Sequence, residues 1–161
     1  MPNRREVNCF PPDEKPPLVA ECFWRVQFNE VDFLKIVWHG WYLKYLEQGR
    51  NEWGRKFGLS YLDMIKNGFA MMMVRVHIDH YYPLQYDELI RIKTIGHWTD
   101  AAKMNMSYEI YAENGMLSAQ GYTVQLYTDL YGKTMFLRPE LAEGLFQKKW
   151  DELHSCSIVN P

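Results

Sequence analysis

Apolar and polar residues alternate along several stretches of this 161-residue chain, and the period of the alternation changes along it. From Glu21 to Phe28 the apolar residues Cys22, Trp24, Val26 and Phe28 occupy every second position. A period of two is typical of a β-strand with one buried face. We therefore predict a strand in this region, with these four side chains on one of its faces.

Between Trp41 and Phe57 the period becomes helical. Apolar residues and one glycine recur at spacings of three and four, which places them on one broad face of a helix: Tyr42, Tyr45, Leu46, Gly49, Trp53 and Phe57. Gly49 costs about 1 kcal/mol relative to alanine, and close approach to another layer would justify that cost. Gly58 is a typical stop signal. We predict a helix over 41–57, which at about 1.5 Å per residue is long enough to cross a sheet.

The remainder of the chain returns to a period of two. Four stretches are predicted strands, namely "MMMVRVHIDHYY", "DELIRIKTI", "AAKMNMSYEIYA" and "MLSAQGYTVQLYT". Asn114-Gly115 joins the last two and is the strongest short signal for a hairpin, and "DLYGK" predicts the next turn. Pro139 opens a last helix, roughly 139–152. This order predicts an α+β domain in which a sheet wraps a single buried helix.

The length and composition of the chain fit one domain. Apolar residues make up 47% of the sequence and aromatic residues 16%, enough for a packed core. Residues 1–18 hold five of the eight prolines and show no periodicity, so we interpret them as an extended, proline-rich arm. Residues 19–161 are then a single domain, because no boundary divides them.

Charge and cysteine content exclude several classes of partner. The 18 basic and 20 acidic residues give a net charge of −2, which predicts no long-range attraction to nucleic acid or to an anionic membrane.

No apolar stretch has the length of a signal-peptide core or of a membrane span. Cys9, Cys22 and Cys156 lack a C-x-x-C pair and predict neither a disulfide framework nor a zinc finger. We expect a cytoplasmic protein without nucleic-acid or membrane partners.

Asp32 and His39 lie seven residues apart, between the first strand and the long helix. The ordinary interpretation is that Asp32 caps a turn and His39 fills space near the start of the helix. The functional interpretation is that free backbone N–H groups at the helix start bind a developing oxyanion. A carboxylate across from them could then attack a carbonyl or activate water. The residues alone leave both interpretations open.

Other polar residues have simpler explanations. His77 and Asp79 share a strand face while His80 points the other way, so they do not form the convergent ligand set that zinc needs. Glu47 and Arg50, one helical turn apart, predict an exposed ion pair. Five basic residues fit solvated strand faces, with phosphate binding as the second interpretation: Arg91, Lys93, Lys103, Lys133 and Arg138.

The motifs that are absent and the one that is present limit the classes of function that the chain can have. The chain has no G-x-S-x-G, Walker A, G-x-G-x-x-G or H-E-x-x-H motif, which removes support for those hydrolase and nucleotide-binding classes. The stretch "DFLKIVWHGWYLKYLEQGR", residues 32–50, resembles the signature of hotdog-fold acyl-CoA thioesterases of the 4-hydroxybenzoyl-CoA thioesterase type. That signature has an aspartate, a hydrophobic pair, a histidine or aromatic residue, a tyrosine, an acid and an arginine. The resemblance continues through "HIDHYYPLQYDELIRIKT" and the last hairpin, and covers roughly residues 20–147.

The resemblance implies a hotdog fold, in which a curved antiparallel sheet wraps one long central helix. It implies a homodimer or homotetramer that hydrolyses an acyl-CoA or acyl-carrier-protein thioester without a metal or a separate cofactor. Asp32 matches the family's nucleophile or general base, and the backbone N–H of His39 would polarise the thioester oxygen, with its side chain assisting. We expect Trp38, Gly40 and Tyr42, beside the helix start, to contact the substrate.

One position departs from the family pattern. Members usually carry glycine two or three residues after the aspartate, where this chain has Phe33, Leu34 and Lys35. A lysine must close the turn with a Cβ present, which would favour another loop conformation. This departure keeps open a second function, a hotdog dimer that binds or senses an acyl thioester without turnover. A dehydratase is a weaker third possibility, because the chain lacks a His-Phe-Pro-Gly stretch.

Overall fold

The computed structural model describes residue 10 and residues 15–155. Most of the predicted arm, residues 1–18, lies outside this part, as do Cys9 and Cys156. The described residues form eight main elements: β1 (Leu18–Arg25), α1 (Trp41–Phe57), α2 (Tyr61–Lys66), β2 (Phe69–His80), β3 (Leu89–His97), β4 (Lys103–Tyr111), β5 (Leu117–Asp129) and α3 (Glu140–Ser155). A single 3-10 turn, Phe28–Glu30, precedes α1.

The five strands form one curved antiparallel sheet in the order β1-β3-β4-β5-β2. The first two strands of the chain are therefore its two edges. One row of paired residues crosses the whole sheet through Cys22, Ile92, Ile110, Ala119 and His80. The three central members of this row are completely buried. The predicted α+β architecture of a sheet around a helix is confirmed.

Helix α1 has the bounds that the sequence predicts, and it packs against β1 and β3. A Cβ on Gly49 would clash with Thr94 Oγ1 and lie 2.8 Å from Ile92 Cγ2 on β3. The expected close approach of helix and sheet at this glycine is confirmed. Gly58 ends the helix in the left-handed conformation, with φ at 75°, and donates its N–H to the carbonyl of Gly54.

The strand alternation and turns are also largely as predicted. Ile90 and Ile92 on β3 are buried, as are four residues of β4: Met104, Met106, Tyr108 and Ile110. The Asn114-Gly115 hairpin closes through the Gly115 N–H, which donates to Ala112 O at 2.9 Å. Pro139 immediately precedes α3. None of the helices in the described part of the chain combines the length and the apolar character needed to cross a membrane.

One prediction about the elements was wrong, and one short helix was missed. β1 ends at Arg25, so Phe28 does not share its face; Phe28 is 78% exposed and lies edge-on to the ring of Tyr86. The chain leaves the sheet here because the backbone of Val26 bonds to the loop before β3 rather than to a strand. The short helix α2 was not predicted, although Ser60 and Asp63 cap its start reciprocally.

Candidate active site

Asp32 opens a tight hairpin between the 3-10 turn and α1. Val31 pairs with Val37, and the N–H of Asp32 donates to Ile36 O at 2.9 Å. One carboxylate oxygen of Asp32 accepts the N–H of Leu34 at 2.8 Å. Within the described residues, its second oxygen accepts no hydrogen bond. Asp32 therefore caps a turn, as the ordinary interpretation holds, and still keeps a free oxygen for chemistry.

Lys35 closes this hairpin in the left-handed conformation, with φ at 62°. Its N–H donates to Asp32 O at 2.9 Å, as expected of a tight turn. The conformation costs a residue with a Cβ roughly 1–2 kcal/mol. The lysine thus adopts the conformation that a glycine takes readily, and the turn closes despite its Cβ. Phe33 and Leu34 stand at the tip, 91% and 61% exposed.

The start of α1 has two unused hydrogen-bond donors. Trp38 donates its N–H to Glu30 O, and Trp41 donates to Trp38 O, both at 2.9 Å. The backbone N–H groups of His39 and Gly40 donate to no acceptor in the described range. They precede the first residue of α1, where the positive end of the helix dipole lies. These amides can receive an anionic or polarised oxygen.

Trp38 covers this end of the helix. Its ring is half-exposed and lies 4.8 Å from the His39 ring, centroid to centroid. It also lies so close over Gly40 that a Cβ there would clash with it. The predicted substrate contacts Trp38 and Gly40 are thus brought together beside His39. Asp32 lies on the first strand of the hairpin and His39 follows its second strand, and they form neither a hydrogen bond nor an ion pair with each other.

Tyr42, the third predicted substrate contact, is 3% exposed. Its hydroxyl lies 3.3 Å from Ser118 Oγ and also hydrogen-bonds to the backbone of Leu84. Burial raises the pKa of this hydroxyl, and the two hydrogen bonds oppose the rise. The Tyr42 ring packs edge-on to His80 at 4.4 Å. In this structure Tyr42 joins α1 to the end of β2 rather than lining an open surface.

His80 is a candidate functional residue near the start of α1, a position that the sequence analysis did not predict. Burial lowers its pKa, the nearby His39 lowers it further, and Asp79 acts in the opposite direction. His77 and Asp79 share the other strand face, as predicted, with His77 Nε2 3.0 Å from Asp79 Oδ2. The alternation indicated the face of His80, but only the sheet pairing brings that face to α1.

Glu30 is the second residue that sequence reasoning missed. Its side chain is 2% exposed and accepts three hydrogen bonds: from Trp24 Nε1 at 3.2 Å, the Gln27 N–H at 2.9 Å and the Tyr45 hydroxyl at 2.8 Å. Burial and this hydrogen bond raise the pKa of Tyr45. Glu30 therefore ties β1, the 3-10 turn and α1 together, two residues before Asp32. No local signal distinguishes it from an exposed glutamate.

The predicted Glu47–Arg50 ion pair is wrong. Glu47 lies 3.8 Å from Lys44 Nζ, whereas Arg50 donates to the hydroxyl of Tyr61. Helix α2, which was not predicted, brings Tyr61 within reach of Arg50. The Tyr61 hydroxyl, rather than the Glu47 carboxylate, is therefore the partner of the Arg50 guanidinium.

The five basic residues considered for phosphate binding are largely paired with acids. Three of them have carboxylate partners: Arg91 pairs with Glu21 at 2.6 Å, Lys93 with Glu109 at 3.0 Å and Arg138 with Glu143 at 2.7 Å. Paired cations of this kind fit the interpretation of solvated strand faces better than a phosphate site. Over the described range, no three histidine, cysteine or carboxylate side chains are placed to hold a metal ion.

Comparison with protein families gives a match to most of the chain. The family model for the thioesterase-like superfamily matches residues 26–145. Among curated relatives, "Putative acyl-CoA thioesterase YneP" of Bacillus subtilis is 31% identical over 104 residues, which are 65% of this chain and 75% of that protein. "Putative esterase" of Aquifex aeolicus is 29% identical over 90 residues, 56% of this chain and 70% of that protein.

Solved structures agree with the architecture. The DHNA-CoA thioesterase from Staphylococcus aureus has a TM-score of 0.75 and 22% identity, and the match covers 88% of this chain and 97% of that one. Slr0204, a 1,4-dihydroxy-2-naphthoyl-CoA thioesterase from Synechocystis, has a TM-score of 0.71 and 20% identity, over 89% of this chain and 99% of that one. These likenesses concern the fold, and they confirm the predicted hotdog arrangement.

Proposed function

Because the chain belongs to the thioesterase-like superfamily, we propose that it hydrolyses an acyl-CoA thioester with Asp32 as the catalytic carboxylate. The observation that carries this proposal is the state of the hydrogen bonds around the hairpin. Asp32 keeps one carboxylate oxygen without a partner, and His39 and Gly40 keep two backbone N–H groups without acceptors, among the described residues. A base and a pair of oxyanion donors are the minimum that hydrolysis of a thioester requires.

In the proposed reaction, the thioester carbonyl lies between the carboxylate of Asp32 and the backbone N–H groups of His39 and Gly40. Its oxygen accepts hydrogen bonds from the N–H groups of His39 and Gly40, which stabilise the negative charge that develops there. Asp32 takes a proton from water as the water adds to the carbonyl carbon, or it attacks that carbon itself. The C–S bond then breaks, and the thiolate leaves and takes up a proton. Where Asp32 is the nucleophile, water then hydrolyses the anhydride left on Asp32, which releases the acid and restores the carboxylate. This scheme uses no metal and no separate cofactor.

We propose that two copies of the chain pair along β2. β2 is an edge strand of twelve residues, and its exposed side chains include Met72, Met73, Val74 and Val76. Natural proteins rarely leave a long apolar edge uncovered, because its free backbone groups invite another strand. This pairing gives a homodimer, or a tetramer built from it.

Within the superfamily we place the chain with the 4-hydroxybenzoyl-CoA thioesterase type, from the signature residues Asp32, His39, Tyr42, Glu47 and Arg50. An acyl-carrier-protein thioester offers the same reacting bond as an acyl-CoA and is the alternative substrate. The sequence argument for binding without turnover was that Lys35 would disturb the loop. Since the turn closes with Lys35 left-handed, hydrolysis is the better supported function.

The direct test is release of free thiol from a panel of aliphatic and aromatic acyl-CoAs. We expect turnover by the wild type and a loss of about 10²- to 10⁴-fold in Asp32→Asn, the range for removal of a general base. Asp129→Asn is the matched control, because the Asp129 carboxylate also caps a turn, accepting the N–H groups of Tyr131 and Lys133 at 2.9 Å. It should retain activity.

Circular dichroism should show that both variants keep the wild-type fold. Undiminished turnover in folded Asp32→Asn would refute the assignment of the catalytic carboxylate. If no acyl-CoA in the panel is hydrolysed but acyl-CoA still binds, the chain is a thioester-binding protein instead.

A further inference from the structure

The face of the sheet that points away from α1, here called the outer face, is half-buried across its middle. One row of paired residues crosses it through Ile95, Ser107, Tyr122 and His77. The first three are half-buried, whereas His77, on the edge strand β2, is exposed. Because α1 packs on the opposite face, another part of the chain must cover the middle of this one.

Phe10, which belongs to the proline-rich arm, lies on the outer face. Its ring centroid is 5.1 Å from that of His97 on β3 and 5.6 Å from that of Tyr122 on β5. The middle strand of the sheet, β4, runs between β3 and β5, so the ring of Phe10 bridges it. His97 is in turn held by Ser107 on β4, with 2.7 Å between Nε2 and Oγ. Tyr122 stacks on His77 at 5.4 Å, so Phe10 completes a row of rings across the face.

A second contact holds the end of the arm that enters β1. Lys15 Nζ lies 4.2 Å from the ring centroid of Trp98 and donates to Gln147 Oε1 at 3.2 Å. A cation over an indole ring is a favourable contact. Three residues later Leu18 begins β1. The arm therefore leaves the β1 edge of the sheet, contacts Trp98 directly after β3, and reaches β4 and β5 at Phe10.

We propose that the proline-rich arm covers the outer face of its own chain, with Phe10 as its anchor. Aromatic pairs contribute more than the area they bury. Five of the eight prolines lie in residues 1–18, and proline limits the conformations of an unbound segment, which lowers the entropy that binding costs. Proline also lacks an N–H, so the arm binds through its side chains and does not extend the sheet.

This inference concerns assembly and is independent of the proposed hydrolysis. The alternative occupant of the outer face is a second copy of the chain, which would have to displace Phe10 from the rings of His97 and Tyr122. A face that is covered by its own arm cannot stack on another sheet. The edge strand β2 then remains as the surface through which copies pair.

Hydroxyl-radical footprinting, read by mass spectrometry, tests which occupant covers the face. The oxidation rate of Tyr122 reports the cover, and Tyr131, which is 98% exposed, is the reference of the same residue type. The test variant is Phe10→Ala, and Phe10→Tyr restores an aromatic ring. Phe28→Ala, which removes a 78% exposed phenylalanine elsewhere, is the matched control. Tyr127 is completely buried and should stay unoxidised in every variant that keeps its fold.

We expect Tyr122 in the wild type to be oxidised more slowly than Tyr131, at a rate that does not change with protein concentration, because a tethered arm binds within its own chain. In Phe10→Ala the rate at Tyr122 should rise toward that of Tyr131. Phe10→Tyr and Phe28→Ala should keep the wild-type rate.

Two results would overturn the proposal. Protection of Tyr122 that increases with protein concentration would show that a second copy covers the outer face. An unchanged rate at Tyr122 in folded Phe10→Ala would show that the arm is not anchored there.

Discussion

Two carboxylates near the hairpin, Glu30 and Asp32, are two positions apart in the sequence and have opposite environments. Glu30 is buried and accepts hydrogen bonds from an indole, a phenol and a backbone amide. Asp32 is half-buried, and one of its oxygens caps a turn while the other is free of the described residues. The buried glutamate therefore holds the structure, whereas the aspartate is available for chemistry. Residue type alone shows neither the burial of Glu30 nor the free oxygen of Asp32.

At the residue scale, Gly49→Ala tests the close approach of α1 to β3. The added Cβ would clash with the buried side chain of Thr94 and press on Ile92, so we expect a loss of about 1–3 kcal/mol in the free energy of unfolding. Urea denaturation measures it. Gly144→Ala in α3 is the control, because no atom lies within 4 Å of the new Cβ. It should stabilise the protein by up to about 1 kcal/mol. Equal stability of the two variants would contradict the packing described here.

The pKa of His80 predicts an acid-sensitive contribution to stability. Burial, followed by the charge of His39, holds this pKa below its ordinary value of 6.5, against the effect of Asp79. A folded-state pKa below the unfolded value gives stability that is complete above that unfolded value and is lost as the pH falls. We expect His80→Gln to flatten the decline of unfolding free energy below about pH 6.5.

Urea denaturation at several pH values would measure this slope in wild type and variant. An unaltered slope in His80→Gln would count against a lowered pKa of His80 in the folded state.

At the scale of elements, the hairpin, the start of α1 and the two edge strands of the sheet have different roles. The hairpin of residues 31–37 presents Asp32, and the start of α1 presents the free amides. β1 closes one edge of the sheet and carries Trp24, whose indole N–H donates to Glu30. β2 forms the other edge, is longer and exposes more apolar side chains. Its register shifts between Met73 and Arg75, where Val74 bulges out of the pairing with β5.

Val74→Lys tests whether β2 is the subunit interface. A lysine on an exposed edge discourages strand pairing, because its charge would be buried between two copies. We expect the wild type to elute with twice the chain mass of 19.2 kDa and Val74→Lys to elute as a monomer with reduced thioester hydrolysis. Phe23 is also an exposed apolar residue on an edge strand, β1, and is the control. Phe23→Lys should remain dimeric. Light scattering after size exclusion gives the mass, and a dimeric Val74→Lys would place the interface elsewhere.

At the scale of the whole molecule, the core unites elements that are distant along the chain. Trp53 of α1 contacts the backbone of β1 through its indole N–H, which donates to Leu18 O at 2.8 Å. Phe146 of α3 lies 6.2 Å from the same indole. Tyr108 on β4 is buried and shares a hydrogen bond with Thr123 on β5 at 3.1 Å. Several phenols are therefore kept in an environment that disfavours their ionisation.

This burial predicts alkaline unfolding. The pKa of Tyr108 is raised from 10.0 to about 12, chiefly by burial, while Thr123 and Arg50 oppose the rise. A raised pKa gives stability that is complete below the unfolded value and is lost as the pH rises through the folded one. For Tyr108 this amounts to about 2–3 kcal/mol between pH 10 and 12. Burial likewise raises the pKa of the Cys22 thiol to about 11.

We expect the free energy of unfolding to fall steeply above pH 10, and Tyr108→Phe to make that fall shallower. Urea denaturation followed by circular dichroism measures both curves. Tyr131→Phe, at an exposed tyrosine, is the control and should follow the wild type. A Tyr108→Phe curve parallel to the wild type would show that this hydroxyl ionises as freely in the folded state as in the unfolded one.

The sequence by itself determined the elements whose periodicity is long and regular. Helix α1 has its predicted bounds because its apolar face repeats over seventeen residues and Gly58 ends it. The alternation in β3 and β4 and the Asn114-Gly115 hairpin were equally local signals. The signature of residues 32–50 indicated the fold family, and the order of the predicted strands and helices agreed with that family. A local signal suffices where the element's own residues decide its conformation.

Only the tertiary structure decided which distant residues meet. Sheet pairing brought His80 to Tyr42, α2 drew Arg50 away from Glu47 to Tyr61, and three elements together buried Glu30. The exposure of Phe28 likewise depended on where β1 leaves its partner strand. These outcomes are set by competition among partners that are far apart in the sequence. A periodic pattern shows which face of an element is apolar, but not what will be packed against that face.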